Sequence, residues 1–161
     1  MAKIKDSGKR TQFETGAIRE IDETKGRCDL VYNSAWSTMT NDEFYQHIEN
    51  FVREGHRCNI YRAIDCAVKN MFDYDFNTAY LEVSQHYAEG AKKYADRNME
   101  KGLPWHSMVD SALRHYTKWR RGDDDEPHAR AVIWNLLTLL YMVDYKPELN
   151  DLPHKEEKIN G

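Results

Sequence analysis

The chain has 161 residues, a length that fits one domain and suffices for one sizeable core. It is 40% hydrophobic and 31% charged, the balance of a folded globular protein and not of a disordered or fibrous one. Its 23 basic and 27 acidic residues leave a formal charge of -4, which argues against a general nucleic-acid coat; no apolar run approaches the ~20 residues of a bilayer span.

Residues 1–11 are polar and expected to be flexible, and the opening "MAKIKDSGKR" lacks the apolar stretch of a secretory signal. From Phe13 to Val31 the sequence "FETGAIREIDETKGRCDLV" carries glycines at 16 and 26 and charges of both signs. No helical stripe persists through it, so an ordered but irregular segment is expected. Cys28, Cys58 and Cys66 are odd in number and show no CxxC spacing, which points to a reducing cytoplasm without a disulfide framework.

Helical periodicity then dominates. "TNDEFYQHIENFVREG" opens on the cap residues Thr40 and Asn41, carries Phe44, His47, Ile48 and Phe51 on one face, and stops at Gly55. "NIYRAIDCAVKNMF" repeats the pattern with Ile60, Ile64, Ala67 and Val68. A third helix opens at Asn77 and places Tyr80, Val83, Tyr87 and Tyr94 along one side. A fourth, "SMVDSALRHYTKWRR", starts from a Ser107 cap and ends at Gly122. The last runs from about Pro127 to Val143, and the polar tail 146–161 is expected to be flexible. Five helices and no convincing alternation predict an all-α, bundle-like single domain over 1–161 with an irregular N-terminal segment.

Helical spacing also sorts the polar residues. Met108, Ala112, His115 and Trp119 share a stripe, which puts His115 on the apolar side, while Asp110, Arg114, Lys118 and Arg121 form a charged row. In the last helix His128, Val132, Asn135, Leu139 and Met142 share a stripe. Burying the Asn135 amide without partners costs roughly 1–3 kcal/mol, so backbone, side chain, metal or ligand must meet it. Glu82, His86, Glu89 and Lys93 form a polar row, ordinarily a solvated face, although Gly90 and Ala91 beside Glu89 suit close packing or a pocket. The run Asp123, Asp124, Asp125, Glu126 is ordinarily a solvated loop favoured by the helix N-terminus that follows. Taken together, these carboxylates suit a hard cation, and the basic residues Lys92, Lys93, Arg97, Arg114 and Lys118 suit a polyphosphate. A nucleotide-binding module with solvated acids and structural histidines is the non-enzymatic alternative.

The blocks "FETGAIREIDETKGRCDLV", "HYAEGAKKYADRNMEKGLPW", "DSALRHYTKWRRGDDDEPH" and "AVIWNLL", in this order, resemble the phage-type dATP/dGTP diphosphohydrolase family, which is grouped with the MazG-like all-α pyrophosphohydrolases. The resemblance covers Phe13–Val31 and Leu81–Leu140; residues 32–80 look like a helical insertion. It implies a MazG-like bundle that hydrolyses a purine deoxynucleoside triphosphate, dGTP or dATP, to the monophosphate and pyrophosphate. It also implies Mg²⁺ or Mn²⁺, a homodimer or homotetramer, and the host cytoplasm if the protein is phage-encoded. By residue, it implies Glu89 as metal ligand or base, Asp110 and His115 as catalytic groups, and Asp125, Glu126 and His128 as metal ligands. The substrate-binding set expected on these readings is Arg19, Lys25, Arg27, Lys92, Lys93, Arg97, Asn98, Arg114, Lys118 and Asn135. There are departures from the family pattern. MazG-like proteins carry EExxE and ExxD runs, whereas "HYAEG" offers one clear acid, and Met99 and Pro127 stand where tryptophan and an acid are usual. A histidine–aspartate phosphohydrolase that releases triphosphate is the enzymatic alternative.

Overall fold

Short polar caps and glycines cut the chain into six α-helices. In the computed structural model, which describes residues 3–20 and 24–154, these are α1 (Asn33–Thr40), α2 (Glu43–Glu54), α3 (Cys58–Phe72), α4 (Phe76–Lys93), α5 (Trp105–Arg121) and α6 (His128–Tyr145). Asp42 caps α2 by accepting from the Phe44 N–H at 3.1 Å, and Asp75 caps α4 by accepting from the Thr78 N–H at 2.9 Å. Gly55 and Gly122 close α2 and α5 in the left-handed conformation that favours glycine.

The apolar stripes meet in one core. Phe44, Ile48 and Phe51 of α2 pack with Ile60, Ala63 and Ala67 of α3, with Met108, Ala112 and Tyr116 of α5, and with Val132, Leu136, Leu139 and Met142 of α6. Phe44 and Tyr116 stack with ring centroids 3.8 Å apart. Each fully buried Phe, Ile, Leu, Met or Val side chain among them contributes about 1.5–3 kcal/mol relative to exposure. α5 and α6 form a helical hairpin across the short 123–127 turn, and α4 lies against α6, leaving a concave face between these three helices.

The fold is the expected all-α bundle, with differences in detail. A sixth helix, α1, stands where no stripe was read. Its Ser- and Thr-rich sequence hides it, and Thr38 and Thr40 turn their hydroxyls back onto the Ser34 and Trp36 carbonyls. Thr40 and Asn41 therefore end α1, and the cap of α2 is Asp42. Ser107 lies inside α5, which begins two residues earlier at Trp105. The end of the N-terminal stretch expected to be flexible forms β1 (Arg10–Gln12), which pairs antiparallel with β2 (Ile18–Glu20) of the irregular segment in the register Thr11 to Arg19. The stripe expected to bury α4 is only partly inward: Val83 is buried, but Tyr80 and Tyr87 are exposed. Residues 146–154, expected as a flexible tail, return to the body, where Leu152 and His154 are buried and His154 bonds the Val52 carbonyl. Residues 155–161 lie outside the described residues. The three cysteines are free. Among the described residues no helix is long and apolar enough to cross a membrane.

Candidate active site

Between α4, α5, α6, strand β2 and the 94–103 loop lies a cavity of about 670 Å³. Strand β2 is held there by Asn98, whose Oδ1 accepts from the Ile18 N–H at 2.9 Å and whose Nδ2 donates to the Ile18 carbonyl at 2.8 Å. The amide expected to touch substrate is thus engaged as a strand partner. Of the other expected residues, Arg19, Lys25, Lys93, Arg97, Arg114, His115, Glu126 and Asn135 line the cavity. Arg27 lies off it, paired with Asp29 at 2.7 Å, and Lys92 is an exposed residue outside the lining. Lys118 also stays outside, 3.6 Å from Asp125.

The acidic run is drawn apart by local partners. Asp123 accepts from Arg121 Nε at 2.8 Å, while Asp125 takes the Lys5 ammonium and, at 2.8 Å, His128 Nε2. These contacts hold the Asp125 carboxyl well below the usual carboxylate range, Lys5 foremost. His128 is buried, and its Nδ1 stands 2.9 Å from Nδ1 of His115. One proton position follows. An ionised Asp125 only accepts, so His128 donates from Nε2. Burial, reinforced by His128, keeps His115 neutral by pushing its pKa far down.

Two sets of ligand atoms lie within 4.8 Å of one another, His115 with Glu126 and His128, and Asp123 with Asp125 and His128. Glu89 belongs to neither. Its Oε1 accepts from Arg130 Nη2 at 2.6 Å. Burial alone would raise the Glu89 pKa, but the Arg130 bond and the Ile4 N–H bring it below its ordinary value. Asp110 is similarly engaged, accepting from the Cys28 N–H at 2.6 Å and from Arg114. The sequence reading missed Arg130, a fully buried cation within "HARAVIWNLL". Its signal was a charge inside an apolar run, which demands a partner.

The N-terminal segment crosses the rim of the cavity. The Ile4 N–H donates to Glu89, the Lys5 N–H donates to Glu126 at 3.1 Å, and Lys93 Nζ donates to the Lys5 carbonyl at 3.1 Å. Lys93 also pairs with Glu20. The row Glu82–His86–Glu89–Lys93, read as a solvated face, therefore contributes His86 and Lys93 to the cavity wall.

Asn135 donates from Nδ2 to the Ala131 carbonyl of its own helix at 2.8 Å, leaving Oδ1 buried without a partner. His86 Nδ1 is also buried and unpartnered; burial and Arg130 push this ring down to about 4, so it is neutral. Both residues line the cavity.

A family model described as dATP/dGTP diphosphohydrolase, N-terminal, matches residues 67–152, just over half of the chain. The chain belongs to this family. The matched span holds α4, α5 and α6, and so contains most of the cavity wall, together with Arg130 and the acid–histidine cluster. It begins inside the 32–80 segment read as an insertion. No curated protein and no solved structure matches the chain.

Proposed function

We propose that this family member hydrolyses purine deoxynucleoside triphosphates, dGTP or dATP, to the monophosphate and pyrophosphate with the help of Mg²⁺ or Mn²⁺. The observation that carries the reading is a cavity, most of whose wall lies in the family span, whose basic side chains (Lys25, Lys93 and Arg114) flank an acid–histidine cluster. Basic groups of this kind suit a polyphosphate, and the cluster suits a cation that bridges it.

The donor sets fit a divalent cation. Asp123 and Asp125 offer oxygens and His128 an imidazole, while Glu126 joins His115 and His128 in the second set. The mixture of carboxylate and imidazole suits Mn²⁺ as well as Mg²⁺. When bound, such a cation neutralises phosphate charge and acidifies a water. Asp123, Asp125 and His128 of the first set would hold it. Neutral His115 would accept a proton from the attacking water on the ring nitrogen that keeps its lone pair. Glu89 and Asp110 would act through the cations that they fix, Arg130 and Arg114. No step requires a covalent enzyme intermediate, so water attacks the α-phosphorus directly.

A homo-oligomer is part of the reading. Phe76, Tyr80 and Tyr87 leave one face of α4 exposed and apolar, the kind of surface that a second copy would cover. Light scattering of the purified chain gives its mass directly, and a monomer at all concentrations would remove this element.

The test of the reaction is hydrolysis in ¹⁸O-labelled water with each dNTP and NTP, with and without Mg²⁺ or Mn²⁺. The expected products are labelled dNMP and unlabelled pyrophosphate, with chelator abolishing turnover. Release of triphosphate and nucleoside would favour the histidine–aspartate alternative, and nucleotide binding without turnover under any metal would leave only a binding module.

A further inference from the structure

The cavity has two chemically different ends, and helix geometry tells them apart. His115 of α5 meets His128 of α6 at the mouth. Because α5 and α6 form a tight hairpin, they run in opposite directions, and seven residues from this contact carry each helix about 10 Å inward. That distance reaches Met108 on α5 and Asn135 on α6. Arg19 donates to Ser111 Oγ and contacts Met108 Sδ, so its guanidinium lies at the inner level with Asn135. α4 follows the same scale: Glu89 meets Arg130, and one turn along His86 meets Trp134, with ring centroids 5.4 Å apart. Lys5, Lys93 and Glu126, tied together by the N-terminal segment, stay at the mouth.

The inner end holds polar groups that the protein leaves open. Asn135 is 3% exposed, and its Oδ1 has no partner. Arg19 makes no carboxylate contact among the described residues; its partners are a hydroxyl and a thioether. A buried acceptor left unmade costs about 1–3 kcal/mol, and a guanidinium without an anion costs more, so a ligand that meets both recovers that cost. Trp134 and His86 supply flat, neutral faces beside them.

We propose that this inner end reads the purine base and selects guanine over adenine. The guanine edge presents O6 as acceptor beside N1–H and the 2-amino group as donors. Arg19 donates to O6, the arrangement for which arginine is suited, and Asn135 Oδ1, with two lone pairs, accepts from N1–H and the 2-amino group. Adenine in the same seat turns its 6-amino donor toward the guanidinium and its N1 lone pair toward Oδ1, which opposes both contacts. The inference rests on the nucleotide reading of the cavity, but it can fail while that reading stands.

The experiment is calorimetric binding of the α,β-imido analogues of dGTP, dITP and dATP, with turnover of the natural triphosphates measured separately. Hypoxanthine lacks only the 2-amino group. Wild-type protein is expected to bind the dGTP analogue about tenfold more tightly than the dITP analogue, the value of one hydrogen bond. The dATP analogue is expected to bind more weakly still. In Asn135→Leu the dGTP-to-dITP ratio falls to about one, because the acceptor is gone. In Arg19→Gln, whose amide turns either way, the preference over adenine shrinks. Should Asn135→Leu not fold, the wild-type ratios and Arg19→Gln decide the matter. Equal binding of the dGTP and dITP analogues, or adenine bound as tightly as guanine, overturns the base reading and leaves hydrolysis standing. Guanine-selective binding without turnover overturns the hydrolase and keeps the base reading. No binding of any analogue overturns both.

Discussion

The Glu89–Arg130 pair gives an asymmetry that can be calculated. Arg130 is 2% exposed, whereas the Glu89 side chain is 32% exposed, and they meet at 2.6 Å. Removing one partner of a buried pair typically costs about 3–5 kcal/mol, because the other charge is stranded away from water. Glu89→Leu strands the arginine, which keeps only the Gln85 Oε1 contact at 3.2 Å. The partial exposure of Glu89 puts the cost at the lower end, about 3 kcal/mol. Arg130→Met strands a carboxylate that already reaches water and fills the same volume with an apolar chain, so its cost is about 1 kcal/mol or less. With a urea slope of about 2 kcal/mol/M, Glu89→Leu lowers the midpoint by about 1.5 M and Arg130→Met by about 0.5 M or less. Equal losses, or a larger loss in Arg130→Met, would refute the reasoning. Turnover of Glu89→Gln separates the remaining roles. A carboxylate that binds the cation loses activity at every metal concentration within reach or regains it only at high metal, whereas one that positions Arg130 keeps the wild-type metal dependence.

Other expectations follow from particular contacts. Lys5→Ala removes the ammonium that occupies Asp125, so Mn²⁺ binding followed by electron paramagnetic resonance should tighten severalfold; an unchanged affinity would mean that the N-terminal segment does not compete. The Asp151 hydrogen bond holds His106 above its ordinary pKa. The stability it contributes is therefore full below the unfolded value of about 6.5 and is lost as pH rises through the folded value. His106→Gln should lower the urea midpoint at pH 5.5 and leave it unchanged at pH 9; equal losses at both would assign the effect to packing. Gly55 sits at φ +74°, and a Cβ there would meet His154 Cδ2 at 2.7 Å, so Gly55→Ala should cost more than about 1 kcal/mol in thermal unfolding. A neutral result would show that the 146–154 segment moves aside freely.

How much of this was legible in the sequence depends on range. Stripes such as Met108–Ala112 and Val132–Leu139 are repeats within one helix, and they identified the core of α5 and α6 before any tertiary contact was known. The placement of His128 and Asn135 on one inward stripe was legible for the same reason. Partner choices across elements were not. Glu89 reads as a free carboxylate because nothing local shows that Arg130, 41 residues later, faces it. Asn98 reads as a polar loop residue, yet its amide closes on Ile18 across 80 residues. Strands of three residues and a Ser/Thr-rich helix carry too few periodic positions to register at all.

Most of the buried polar atoms left without partners among the described residues fall on two helices. Native proteins satisfy nearly all such atoms, so each exception calls for an explanation. His86 Nδ1, Arg130 Nε, Asn135 Oδ1 and Thr138 Oγ1 stand on α4 and α6, within the span that the family model matches, while His47 Nδ1 on α2 lies apart from them. Several polar groups of comparable burial elsewhere are closed internally. Asp42 takes the Phe44 N–H, the Tyr116 hydroxyl and Arg120, and His154 bonds Val52 and Asn150. A chain that can close Asp42 three times over has no folding reason to leave the Asn135 oxygen open one helix away. The two of these atoms that line the cavity, His86 Nδ1 and Asn135 Oδ1, stand between an aromatic face and a mouth rich in cations, as a site complementary to a polar, charged and flat ligand requires.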